Sequence, residues 1–295
     1  MSAFESTEAL EQGFREQGYI PDKPLLTALY LLARLPRPLL LEGHAGVGKT
    51  ETAKVLALAL DTELIRLQCY EGLDSNAALY EWNYQKQLLA IKLQEGDKQS
   101  LEEKERHIFS REFLLERPLL RAISERERPA VLLIDEVDRA DEEFEAFLLE
   151  LLSEFQVTVP ELGTIRASRP PHVLLTSNRS RELSDALKRR CLYHWIDYPD
   201  AEKELEIVRT KVPEIADGLA RQVVGVMQHL RGLTLDKPPG VAETLDWAMA
   251  LLALGKSRLD AEVLEATMGC FLKSTEDFRV LRAGVEGILA NLPGG

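Results

Sequence analysis

The stretch "PLLLEGHAGVGKTETAKVLALAL", residues 38–60, places Gly43 and Gly48 either side of a short loop and follows them with Lys49 and Thr50. Binding a phosphate chain takes glycines where backbone must approach anionic oxygens and amide N–H groups converging at a helix N-terminus. It also takes a lysine for the outer phosphates and a hydroxyl for Mg2+. All four occur here in that order, and Gly46 adds backbone freedom inside the loop. A strand-like apolar run precedes the loop and a helix-like run follows it, the context a phosphate cradle needs and a mere flexible turn does not. Gly43, His44, Ala45, Gly46, Val47, Gly48, Lys49, Thr50 and Glu51 are therefore read as a nucleotide cradle, with Lys49 as the phosphate cation and Thr50 as a Mg2+ ligand.

Such a cradle needs an acid on a neighbouring strand for the hydrated metal, and a carboxylate that can orient or deprotonate water. "VLLIDEVDRAD" supplies both at the end of a buried apolar run: Asp135 for the magnesium, through water, and Glu136 for the water nucleophile. A further apolar run, "HVLLTSN", ends in Asn178. Its neutral amide could accept from an attacking water and donate to phosphate, or it could simply close a turn. "SDALKRRCLYHWIDYP" puts Lys188, Arg189 and Arg190 at the end of a short helical segment. They either complement the helix dipole or supply an arginine finger to a neighbouring subunit's nucleotide.

Five β-type runs must position these groups: "PLLLEG", "ELIRLQC", "AVLLID", "HVLLTSN" and "LYHWIDY". They alternate with helical stretches, which predicts a parallel sheet with helices on both faces, and several are continuously apolar, as strands buried on both faces should be. From Asp200 onward the β pattern gives way to helical periodicity. The expected fold is α/β: a nucleotide-binding core over residues 1–199 and a small all-α C-terminal domain over 200–295. Two inserts interrupt the core. One, about 70–92, concentrates Tyr70, Tyr80, Trp82 and Tyr84; the other, 156–167, reads as a hairpin around Pro160 to Gly163. The charged tract "LQEGDKQSLEEKERH" reads as a solvated helix face or connector.

The 295 residues are 45% hydrophobic and 29% charged, an ordinary globular balance. A net charge of −13 counts against a protein whose main task is neutralising nucleic-acid phosphates. Cys69, Cys191 and Cys270 are widely spaced with no C-x-x-C, so neither a disulfide framework nor a zinc site is indicated. A reducing, cytoplasmic setting is expected. The acidic start "MSAFESTEALEQGF" does not read as a signal peptide, and no uncharged run reaches the ~20 residues needed to span a bilayer.

Taken together, GHAGVGKT, LLIDEVDRAD, LLTSN and ALKRRC ahead of a helical region resemble the P-loop AAA+ ATPases, and among them the MoxR family. "LIRLQCYEGLD", "YEWNYQKQLL", "FQVTVPELGTIRA" and "DALKRRCLYHWIDYP" resemble more narrowly the CoxD-type branch, associated with maturation of the copper–molybdenum centre of carbon monoxide dehydrogenase. The resemblance implies an ATP- and Mg2+-dependent remodelling chaperone, a hexameric ring, a von Willebrand factor A domain partner and a metalloenzyme client. It makes Lys49 and Thr50 Walker A, Asp135 and Glu136 Walker B, Asn178 sensor 1, and Arg190 the finger, with Arg189 its close rival. Both inserts would face the ring pore, the helical domain would act as a lid, and "GYIPDKP" would lie near the adenine. The sequence departs from the family pattern at "KPPGVAETLDW", where Ala242 and Glu243 stand in place of a sensor 2 arginine: either the alignment slips there, a nearby residue such as Arg231 substitutes, or domain closure is coupled to nucleotide differently, and sensor 2 stays unassigned. A motor or loader on nucleic acid is the alternative function, disfavoured by the acidity and by the lack of a basic, aromatic-interleaved cluster. A guanine-reading N-K-x-D is missing, so a GTPase switch is not supported.

Overall fold

A computed structural model describes residues 6–94 and 100–290. In chain order the strands are β1 (Leu39–Gly43), β2 (Leu64–Gln68), β3 (Tyr80–Trp82), β4 (Leu114–Glu116), β5 (Val131–Asp135), β6 (Gln156–Val159), β7 (Gly163–Arg166), β8 (His172–Ser177) and β9 (Leu192–Ile196). The five predicted runs form one five-stranded sheet in the order β2-β5-β8-β1-β9. The pairs β2/β5, β5/β8 and β8/β1 are parallel. Helices such as Lys49–Ala59 and Glu142–Glu154 make the crossovers between strands.

β1 and β5 are buried along their whole length and β8 along all but its first residue. Their leucine, isoleucine and valine content follows from that double-sided burial. β2 lies at the sheet edge and alternates, with Ile65 and Leu67 inward and Arg66 and Gln68 exposed. In register, Gln68 stands opposite Asp135, Ile134 opposite Leu175, and Glu42 opposite Ser177. The carboxyl ends of β1, β8 and β5 thus fall side by side, the edge at which open α/β sheets present their functional groups.

The aromatic insert is split by the fold. Trp82 on β3 is only 8% exposed; it packs edge-on against Phe109 at 5.3 Å and belongs to the sheet-side core. Tyr70 and Tyr84 stay exposed. Trp82 therefore contributes packing rather than a contact surface. β3 pairs antiparallel with β4, and β6 with β7. The middle of the charged tract, 95–99, lies outside the described residues; its continuation is a solvent-exposed helix, Leu101–Ile108, started by a Ser100–Glu103 capping box.

By contacts the chain divides into two interleaved compact units. The first takes the described residues up to Leu10, then 23–42 and 53–194, and contains most of the sheet. The second takes 11–22, the loop 43–52, and the described residues from Trp195 on. Its helices Ala201–Lys211, Asp217–Arg231, Val241–Ala253, Ala261–Thr267 and Thr275–Ala290 enclose a core around Trp247. That indole is fully buried, lies 4.4 Å from the Phe271 ring and donates Nε1–H to Thr267 Oγ1 at 2.8 Å. Such a pairing lets a large polar-tipped ring sit in an apolar interior.

Candidate functional site

The glycine-rich loop lies wholly within the second unit. Lys49 and Thr50 open the helix Lys49–Ala59. Lys49 is buried, and its Nζ donates to the Gly43 and His44 carbonyls at 2.7 and 2.6 Å, folding the ammonium onto the loop backbone. Gly46 has φ +74°, and a Cβ there would stand 2.8 Å from Glu243 Oε2 and 3.1 Å from Gly240 Cα. Only glycine meets both demands without strain. On the other side, a Cβ at Gly240 would come within 2.7 Å of Ala45 O and 2.8 Å of Gly46 Cα. The Ala242 N–H donates to Gly46 O at 3.1 Å, and Glu243 Oε2 accepts from Gly240 N at 2.9 Å. The start of the helix Val241–Ala253 is thus seated directly on the phosphate loop, at the place where an arginine would be sought.

Arg231 is committed elsewhere. It donates to both oxygens of Glu204, each at 2.7 Å, and to Pro239 O at 2.8 Å; the side chains of this pair are 6% and 0% exposed. Its guanidinium also lies 4.7 Å over the Tyr198 ring, whose other neighbour is the His44 imidazole, stacked at 4.6 Å and 7°. Burial, ahead of the Glu243 and Asp197 charges and against the Arg231 charge, pushes the Tyr198 phenol up, so that the ring stays neutral between its two partners. Tyr19, from "GYIPDKP", shares a 2.8 Å hydrogen bond between hydroxyls with Thr52, and burial pushes its phenol up to about 12. Val47 is buried, while Glu51 sits 3.9 Å from Lys211 Nζ.

The acids and Asn178 lie in the first unit. Asp135 is 2% exposed; Oδ1 accepts from Thr176 Oγ1 at 2.5 Å and Oδ2 from Arg66 Nη2 at 2.6 Å. Glu136 takes the left-handed conformation, φ 54° and ψ 50°, a strained backbone for a residue with a side chain. That turn is pinned by its own N–H, which donates to Thr176 Oγ1 at 2.8 Å. The Glu136 carboxylate accepts from Asn178 Nδ2 at 3.3 Å, Gln68 Nε2 at 3.1 Å and Arg139 Nε at 3.0 Å. Buried Asp138 fastens the turn after β8 by accepting from the Asn178 and Ser180 N–H groups and from Ser180 Oγ. Burial, reinforced by the negative field of Asp135, Asp138 and Glu136, pushes the neighbouring Cys69 thiol up to about 12 and leaves it inert.

Hard oxygen donors, one of them a buried carboxylate already compensated by a cation, suit Mg2+, which keeps much of its water and needs few protein ligands. Among the described residues no group of three or more His, Cys, Asp or Glu could hold a metal by itself. The Thr50 hydroxyl and the Asp135 carboxylate are donors of the kind such an ion takes.

The helix Asp185–Arg190 starts at Ser184, whose Oγ accepts from Leu187 N and whose N–H donates to buried Glu145. Arg37 caps the far end through the Arg189 and Arg190 carbonyls. Arg190 Nη1 donates to Leu149 O at 2.6 Å, tying it to its own chain. The exposed Arg189 guanidinium has no partner among the described residues. Sequence reasoning missed Arg66, Gln68, Thr176 and Asp138. The one signal for the first two was the polar alternation of "IRLQ" within the β-type run "ELIRLQC".

Proteins of known sequence and structure resemble this chain at two levels. An uncharacterized protein of Staphylococcus haemolyticus is 24% identical over 268 residues, 89% of this chain and 93% of its own length. An uncharacterized protein of Staphylococcus aureus is 26% identical over 226 residues, covering 75% and 77%. Among solved structures, two point mutants of Thermotoga maritima RuvB superpose with TM-scores of 0.51 and 0.52 at 20% and 19% identity. They cover 92% and 94% of this chain and 77% and 80% of theirs. That likeness is one of fold, the P-loop AAA+ arrangement of a central parallel sheet flanked by helices with a helical C-terminal region. The AAA domain of the dynein-related subfamily matches residues 38–191, the span from the first strand of the sheet to the end of the arginine-bearing helix, and the chain belongs to that family.

Proposed function

We propose that the chain hydrolyses ATP with Mg2+ and uses the cycle to remodel a partner protein, as a MoxR-type chaperone. Glu136 carries the reading: a carboxylate held at the end of a buried strand by a strained turn, with the Asn178 amide 3.3 Å away. Bound Mg2+ would neutralise charge on the outer phosphates. Lys49 would leave the Gly43 and His44 carbonyls for the phosphates, and Thr50 and Asp135 would hold the hydrated ion. Glu136 would orient and deprotonate the attacking water while Asn178 fixes the carboxylate's direction. Residues 1–199 are the catalytic core in this reading and 200–295 its lid, with both inserts facing a ring pore.

Assembly in a ring, with a finger from the neighbouring subunit, is supported by the exposed arginine-bearing helix. A von Willebrand factor A domain partner, a molybdenum-enzyme client and a cytoplasmic setting rest on the sequence motifs shared with the CoxD-type branch. Among the described residues no helix is long and apolar enough to cross a membrane. The fold shared with RuvB carries no argument for nucleic acid, and the charge of −13 speaks against it.

Glu136→Gln tests the reading. The isosteric amide keeps the shape of the turn but cannot take a proton, so ATP binding should persist while turnover falls about 10²-fold or more. An undiminished hydrolysis rate would remove Glu136 from the chemistry.

A further inference from the structure

The acid that fits the metal already has a cation on it. Asp135 is 2% exposed and fixed at the end of a central strand, whereas the Arg66 side chain that reaches its Oδ2 is 49% exposed on the edge strand β2. The carboxylate cannot leave; the guanidinium can. The register sets Gln68, not Arg66, opposite Asp135, so Arg66 reaches along the strand to make the contact. Its Nη2 also donates to Gln68 Oε1 at 2.6 Å, and Gln68 Nε2 donates to Glu136 Oε2 at 3.1 Å. One guanidinium therefore serves Asp135 directly and Glu136 through an amide.

A buried carboxylate stripped of its partner is costly, and a half-exposed arginine that lets go regains water and rotamer freedom. A divalent ion at the same carboxylate supplies the compensation instead and repels the guanidinium beside it. We propose that Arg66 is a tethered counter-cation of Asp135: it occupies the metal-facing carboxylate in the resting protein and swings into solvent when Mg2+ and nucleotide arrive. Arg66 thereby sets the Mg2+ concentration at which nucleotide is held. The proposal rests on the Mg2+-nucleotide reading above and adds a residue that reading does not use.

The test is a binding measurement. Affinity for a fluorescent ADP analogue is followed across a Mg2+ series and in EDTA, for the wild type, Arg66→Gln and Arg66→Lys, with direct Mn2+ binding by electron paramagnetic resonance alongside. Arg66→Gln should lower the half-saturating Mg2+ concentration about fivefold, the scale of a half-exposed ion pair, and leave the affinity in EDTA unchanged. Arg66→Lys should fall between. The gain in melting temperature from Mg2+ plus ADP should also be larger in Arg66→Gln than in the wild type, because only the metal-free form loses its counter-cation. An unchanged or raised Mg2+ requirement in variants that fold would overturn the proposal while leaving the nucleotide reading intact. A wild type that binds neither Mn2+ nor the analogue would refute both.

Discussion

Replacing Arg231 by methionine distinguishes a structural arginine from one that reads phosphate. Glu204 is fully buried and receives Arg231 on both oxygens, Thr244 Oγ1 on Oε1 at 2.6 Å and Gln228 Nε2 on Oε2 at 2.7 Å. Without the guanidinium, two neutral donors remain for a full negative charge in the interior of the helical unit. Breaking a buried pair from one side costs about 3–5 kcal/mol. The orphaned Pro239 carbonyl and the lost cation–π contact on Tyr198 act in the same direction, at about 1 kcal/mol each. Against a typical domain stability of about 5–15 kcal/mol, the second unit would become marginal at room temperature. Combining Arg231→Met with Glu204→Gln removes both charges and should recover at least half of the loss, the pattern expected of coupled neighbours. Urea unfolding of the two single variants and the double one, followed by far-ultraviolet circular dichroism and tryptophan fluorescence, measures the cycle. If Arg231→Met unfolds at the wild-type midpoint yet turnover collapses, the arginine acts on the nucleotide and the structural reasoning fails.

The remaining predictions concern contacts and assembly. Gly240→Ala should destabilise the protein by about 1–3 kcal/mol and weaken nucleotide binding, because its Cβ meets the backbone of Ala45 and Gly46 rather than a side chain that could move aside; wild-type values in both assays would show that the loop yields. For the finger, mixing subunits carrying Arg189→Ala with subunits carrying Lys49→Ala should restore part of the ATPase activity lost in each alone. The same experiment with Arg190→Ala should show the smaller initial loss, since Arg190 is bound to Leu149 O within its own chain. The reverse ranking would return the role to Arg190.

The continuous apolar runs made β1, β5 and β8 readable directly, whereas reading Gly43 to Thr50 as a cradle took both the spacing of the motif and the strand-like and helix-like runs on either side of it. Strand order and register are long-range facts, and what they bring together stayed hidden: Arg66 and Asp135 are linked only by the β2/β5 pairing, and Thr176 and Glu136 only by β5/β8. β3 and β4 are three residues each, too short to show a period, and their pairing across the chain is what takes Trp82 into the core. Arg231 looked available because a partner such as Glu204, buried on another helix, leaves no local trace.

The interleaving of the two units also bears on how the protein comes apart. Residues 43–52 pack with the helical unit although they lie between two segments of the other one, so no single cut in the chain separates the two. A fragment ending near residue 199 would retain every residue of the phosphate loop and lose Gly240, Ala242 and Glu243, on which that loop rests. In native-state hydrogen exchange the amides of 43–52 should then open with the helices after Ala201 rather than with the strands that flank them in sequence.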